Sequence, residues 1–86
     1  MIRIDVFEVD RVLRDVAEDV LAGTPLPVGE VATEARGLIP EAIRALEEGV
    51  PEEGHALITS DIVAMAAVAM AAEKWGYYLW EHLPLP

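Results

Sequence analysis

The sequence predicts an all-α fold, a single small bundle of three to four helices preceded by a short N-terminal β-strand. The chain has only 86 residues, which is the length of one domain. Hydrophobic residues make up 53% of it, which is enough to form a core. They recur mainly at helical spacing, and the predicted helices cover residues 9–22, 30–48 with a break near 37–40, and 60–82.

Residues 2–7 alternate apolar and polar side chains, which is the pattern of a strand. Ile2, Ile4 and Val6 would lie on one of its faces. A single strand leaves its backbone groups unpaired, so we expect a partner strand. That partner is either residues 56–59 of the same chain or the same strand of a second copy.

Residues 9–22 carry the clearest helical pattern. Apolar side chains form one stripe, and acids alternate with arginines on the opposite face. Opposite charges four residues apart, such as Arg14 and Glu18, stabilise a helix by roughly 0.2–0.5 kcal/mol per pair. Asp10 is suited to be the N-cap or an acid of the first turn of this helix, and Gly23 to end it.

Residues 30–48 keep one apolar stripe in helical phase although Gly37 and Pro40 lie inside it. Proline in a helix interior removes a hydrogen-bond donor and costs about 3 kcal/mol. The segment is therefore either one kinked helix or two short helices, with Pro40 in the first turn of the second.

The last predicted helix is unusual because residues 62–72 include no polar side chain. A helix that is apolar on every side is normally buried on every side, and a chain of this size has little other mass to cover it. We therefore expect a homo-oligomer, in which a second copy covers the remainder. The alternative is a central helix wrapped by its own domain. The predicted oligomer interface consists of Ile62, Met65, Ala66, Ala69 and Met70.

Four of the five aromatic residues follow this apolar stretch. Trp75 and Leu79 continue its stripe, so we expect them to pack on the core. Tyr78 and Trp80 are candidate partner-binding residues, because Trp and Tyr dominate binding hot spots. The alternative is that these two side chains only close the end of the core.

The net charge is −10, from 16 acidic and six basic residues. Binding to phosphate backbones needs Lys and Arg, so we expect no nucleic-acid partner. A basic protein is the partner that this charge favours. Cys is absent, and the two histidines, His55 and His82, lie far apart. No nucleophile motif, phosphate-binding loop or metal-ligand spacing is present. We therefore expect no catalytic residue, no cofactor and no metal.

No stretch has the pattern of a signal peptide or the length of a membrane span. We therefore expect a cytoplasmic protein with no membrane partner. Asn, Gln and Cys are all absent, which fits either a thermophilic source or GC-rich coding.

These patterns favour a small acidic, non-catalytic protein–protein interaction module, such as an inhibitor, an antitoxin, an immunity protein or an accessory subunit. One alternative is a subunit of a larger enzyme or particle that docks through its last helix. Another comes from the order strand, helix, turn, helix, which resembles half of a ribbon–helix–helix transcriptional regulator. In that family paired strands enter the DNA major groove, where Asp5 would face phosphates unfavourably.

Overall fold

The computed structural model describes residues 2–79, which form helices joined by short turns. No strand is present in this part of the chain. The prediction of a mostly helical protein is confirmed. The elements are α1 (Val6–Val20), α2 (Val28–Gly37), α3 (Ile39–Gly49), a 3₁₀ helix (Glu52–Leu57) and α4 (Ser60–Glu73).

Helix α4 is the centre of the fold, because α1, α2 and α3 all pack against it. Eight of its 14 residues are buried. Most residues between 62 and 72 are alanines, whose small side chains let neighbouring helices approach closely. The chain thus covers most of its own apolar helix. We expected a second copy because one chain of this size has little other mass to cover this helix. The eight buried residues are covered by the chain itself.

Helix α1 begins one turn earlier than predicted. The carboxylate of Asp5 accepts a hydrogen bond from the backbone N–H of Phe7 at 2.9 Å, which is the geometry of an N-cap. The predicted start at residue 9 is therefore wrong, and Asp10 lies inside α1 as neither its cap nor a first-turn acid. The residues of α1 that are buried in the core are Val9, Leu13, Val16 and Ala17.

The predicted strand at residues 2–7 is not formed. Its last two residues belong to α1, and its predicted partner, residues 56–59, overlaps the 3₁₀ helix. The backbone finds a different acceptor: the N–H of Ile2 donates to the carboxylate of Glu47 at 3.1 Å. The paired strands of a ribbon–helix–helix protein therefore have no counterpart within residues 2–79.

The break in the central helical segment falls at Leu38. Helix α2 ends at Gly37, and Pro40 lies in the first turn of α3, where its missing N–H costs no helical hydrogen bond. Of the two alternatives that the sequence left open, the structure has two separate helices. Both pack against α4.

Helix α4 ends at Glu73, well before the predicted end at residue 82. The backbone N–H of Lys74 donates to the carbonyl of Ala71 at 3.1 Å, and the chain then turns at Gly76. The φ angle of Gly76 is +85°, a conformation that glycine adopts far more readily than other residues. The prediction that residues 74–79 continue the helix is wrong, and residues 80–82 lie outside the described part of the chain.

Candidate protein-binding groove

A shallow groove lies between the exposed side of α2 and the tryptophan that follows α4. Its volume is about 690 Å³. We refer to this surface as the α2 groove. It is lined by small, acidic and aromatic side chains, which are Gly29, Glu30, Thr33, Glu34, Gly37 and Trp75.

Small residues recur every fourth position along the groove side of α2. Gly29, Thr33 and Gly37 share one face, because helical residues four apart lie nearly above one another. The core face of the same helix carries Val31 and Ala35. The hydroxyl of Thr33 donates to the carbonyl of Gly29 at 2.9 Å, which ties this side chain to the backbone of α2.

Neither glycine is required by the backbone of α2. Positive φ angles occur at Gly23 and Gly76 but not at Gly29 or Gly37. A Cβ atom built on Gly37 meets nothing within 4 Å, and one built on Gly29 comes only within 3.7 Å of the Arg14 guanidinium. Replacing a glycine by alanine where the backbone needs no positive φ stabilises a protein by about 0.4–1 kcal/mol. Both glycines therefore lower helix stability without a close contact within residues 2–79 that needs them.

Trp75 borders the groove because α4 has already ended at Glu73. Its backbone N–H donates to the carbonyl of Ala72 at 2.9 Å, and Gly76 then turns the chain. Trp75 is 42% exposed, so the prediction that it continues the buried stripe is wrong. Leu79, the other predicted member of that stripe, is partly buried against the core.

Glu30 and Glu34 make the groove acidic. Glu30 is exposed, and Oε2 of Glu34 lies 3.8 Å from Nζ of Lys74. The side chain of Lys74 is 59% exposed and that of Glu34 is 40% exposed, whereas Oε2 of Glu34 is itself buried without a hydrogen-bond partner. Glu30, which is exposed, is therefore the more accessible of the two acids.

Within residues 2–79, four basic side chains form ion pairs with acids of the same chain. At one of these pairs, the hydrogen bond from Arg11 lowers the pKa of the exposed Glu8 carboxyl below its ordinary value. Because these cations are paired internally, a partner mainly meets the surplus of acid. The ion pairs are Arg11–Glu8, Arg14–Glu18, Arg36–Asp10 and Lys74–Glu34.

The residues predicted as an oligomer interface lie on one face of α4 but differ in exposure. Ile62, Met65 and Met70 are partly buried against the core. Ala66 and Ala69 are fully buried within the single chain. A second copy on this face would therefore contact isoleucine and methionine side chains rather than the alanines.

The predicted partner-binding aromatics are only partly described. Tyr78 is 70% exposed, and Trp80 lies outside the described residues. Phe7, which sequence reasoning placed in a strand, is 86% exposed. The exposure of Phe7 could have been predicted from its helical position. Once α1 is extended by one turn, Phe7 lies on the charged face, four residues before Arg11.

A second groove, of about 400 Å³, lies beside the 3₁₀ helix. Its lining includes Arg3 and His55, and Nε2 of His55 lies 2.9 Å from the carbonyl oxygen of Val50. Within residues 2–79, no three His, Asp or Glu side chains converge closely enough to hold a metal ion.

None of the helices within residues 2–79 combines the length and the hydropathy needed to cross a membrane. Comparison of the chain with protein-family models, with curated proteins and with solved structures gives no match.

Proposed function

We propose that this chain is a non-catalytic, cytoplasmic protein–protein interaction module that binds a basic partner protein through the α2 groove. The observation that carries the proposal is that one groove combines an exposed tryptophan, Trp75, with the acids Glu30 and Glu34. Tryptophan provides a large, rigid contact area. The two carboxylates favour Lys or Arg on the partner. Inhibitors, antitoxins, immunity proteins and accessory subunits all act through such contacts.

The charge of the whole chain supports a basic partner. A net charge of −10 on 86 residues creates a negative field that speeds encounter with a cationic surface by about 10- to 1,000-fold at low salt. The same field repels nucleic acid. Among residues 2–79, four basic side chains pair with acids of the same chain, so a partner mainly meets the excess of acid.

Self-association through α4 is a second candidate, favoured by the partly buried face that carries Ile62, Met65 and Met70. A larger enzyme or particle docking on α4 would use this face too. Two copies of an acidic chain repel each other, so added salt should strengthen self-association. Added salt should weaken binding to a basic partner.

The test is the salt dependence of partner binding. Basic proteins retained by the wild-type chain from a native lysate at low salt are purified, and their association rate constants are measured at rising ionic strength. We expect the rate constant to fall at least about tenfold between 20 and 200 mM salt. A rate constant that does not change with salt contradicts the proposal. Sedimentation of the chain alone at the same salt concentrations measures self-association.

A further inference from the structure

We infer that the α2 groove receives an α-helix of the partner, with lysine or arginine along one edge of that helix. This inference rests on the proposed function and names the shape and the chemistry of the partner. Three features of the groove carry it: two glycines of α2 that no close contact within residues 2–79 requires, the exposed Trp75, and the charge of two adjacent glutamates.

Gly29 and Gly37 let a partner backbone approach α2 more closely than residues with side chains would. They lie eight positions apart, which corresponds to about 12 Å along a helix. A partner segment that contacts both glycines must keep a regular backbone conformation over about 12 Å. A straight α-helix meets that requirement with about two turns, packing its side chains against the surface of α2.

An extended peptide is a poorer occupant of this groove. Strands bind by pairing with free backbone N–H and C=O groups at the edge of a sheet, and residues 2–79 contain no strand. The interior backbone groups of α2 are engaged in helical hydrogen bonds. A partner helix satisfies its own backbone and needs none of these groups.

The charge of the groove selects the sequence of the partner helix. Glu30 and Glu34 lie one turn apart, so cations four positions apart on a helix can face both. Trp75 offers its ring to the stem or the charged head of a Lys or Arg side chain. A second copy of this chain would place glutamate against glutamate, so the groove is not suited to self-association.

The probe is an alanine-based helical peptide that carries lysines four positions apart, with a matched peptide that carries glutamates instead. The full isotope-labelled chain is titrated with each peptide, and backbone amide signals are followed by NMR. We expect the lysine peptide to shift the signals of Gly29 and Gly37 but not that of Gly49. We expect the glutamate peptide to shift none of them.

Alanine variants separate close approach from folding. Gly29→Ala and Gly37→Ala should raise the Tm, because alanine restricts the unfolded chain and fits both positions. The new Cβ at position 37 meets nothing within 4 Å, and the one at position 29 makes only an ordinary contact with the Arg14 guanidinium. The two variants should nevertheless weaken binding of the lysine peptide by about tenfold. Gly49→Ala is the matched control. It ends α3 as Gly37 ends α2, and its Cβ also meets nothing within 4 Å. It should raise the Tm and leave the affinity unchanged.

Each other outcome overturns a defined part of the inference. Unchanged affinity in both groove variants overturns the close helix contact, and amide shifts confined to other surfaces overturn the groove as the site. If the wild-type chain captures a basic partner in salt-dependent fashion but does not bind the lysine peptide, the helix is overturned while the proposed function stands. Failure of both experiments overturns the proposed function as well.

Discussion

The variant Ala66→Glu should destabilise the protein increasingly as the pH rises. Ala66 is fully buried in α4, the helix against which α1, α2 and α3 pack. Desolvation would raise the pKa of a carboxyl placed there in the folded state. In the unfolded chain the same carboxyl would ionise near its ordinary pKa of about 4.3. The free energy of unfolding should therefore fall as the pH rises between these two pKa values.

The size of this effect follows from proton linkage. Each unit of pKa difference is worth about 1.36 kcal/mol of unfolding free energy. If the carboxyl stays neutral in the folded chain, the free energy of unfolding of the variant falls by up to about 3.7 kcal/mol between pH 4.3 and pH 7. A chain of 86 residues has a typical free energy of unfolding of roughly 4–13 kcal/mol. The loss is therefore a large part of the total stability.

The matched control is Ala66→Gln, because glutamine has nearly the same size and does not ionise. Urea denaturation followed by circular dichroism measures both variants from pH 4 to pH 8. We expect similar stability near pH 4 and a deficit of about 3–4 kcal/mol for the glutamate variant at pH 7. Equal stability at every pH would place residue 66 in water and would refute the burial of α4. Met65→Glu, at a partly exposed neighbour, should show a much smaller pH dependence.

Three other properties of the chain can be checked separately. Leu13→Ala removes a fully buried side chain of α1 and should lower the free energy of unfolding by about 2–5 kcal/mol, measured by urea denaturation; a loss below this range would place Leu13 outside the core. Gly76→Ala should lower it by about 1 kcal/mol, because a side chain is strained at this positive φ angle, and a more stable variant would contradict the turn. The Glu8 carboxyl should titrate below its ordinary pKa by NMR, since Arg11 donates a hydrogen bond to it, and Arg11→Met should return the pKa towards that value. Because the folded-state pKa is lowered, the contribution of this pair to stability is present above the unfolded-state pKa and is lost as the pH falls through the folded-state pKa.

The helices whose positions follow from local pattern were predictable from the sequence. The apolar stripe of α1 is visible in the spacing of its valines and leucines. The break between α2 and α3 was predictable from Pro40, which fits the first turn of a helix but not its interior. Neither feature depends on how distant parts of the chain meet.

The errors at the two ends of the chain have local physical causes. The alternation at residues 2–6 fits a strand, but within residues 2–79 that strand has no partner to pair with, and the Asp5 side chain caps a helix instead. At the other end, the aromatic stripe suggested a continuous helix. The positive φ angle of Gly76 opposes that pattern, and α4 ends at Glu73.

The cover of α4 and the α2 groove depend on tertiary structure, which the sequence pattern does not contain. How much of α4 is covered depends on how closely the other helices approach its alanines. The groove joins Gly37, the last residue of α2, to Trp75, which lies in the turn after α4. The sequence pattern predicts Gly37 as a helix end and Trp75 as part of the core. It does not predict that the two residues line one surface.

The most direct test of the account compares two charge reversals in their effect on binding of the lysine peptide. Glu30→Lys reverses an acid inside the α2 groove, and Glu48→Lys reverses an exposed acid on α3, outside the groove lining. Both variants have the same net charge, so they differ only in where the charge lies. We expect Glu30→Lys to weaken binding at least about tenfold and Glu48→Lys to weaken it less than about twofold. Equal losses would show that overall charge, and not the groove, attracts the peptide, and would contradict the account.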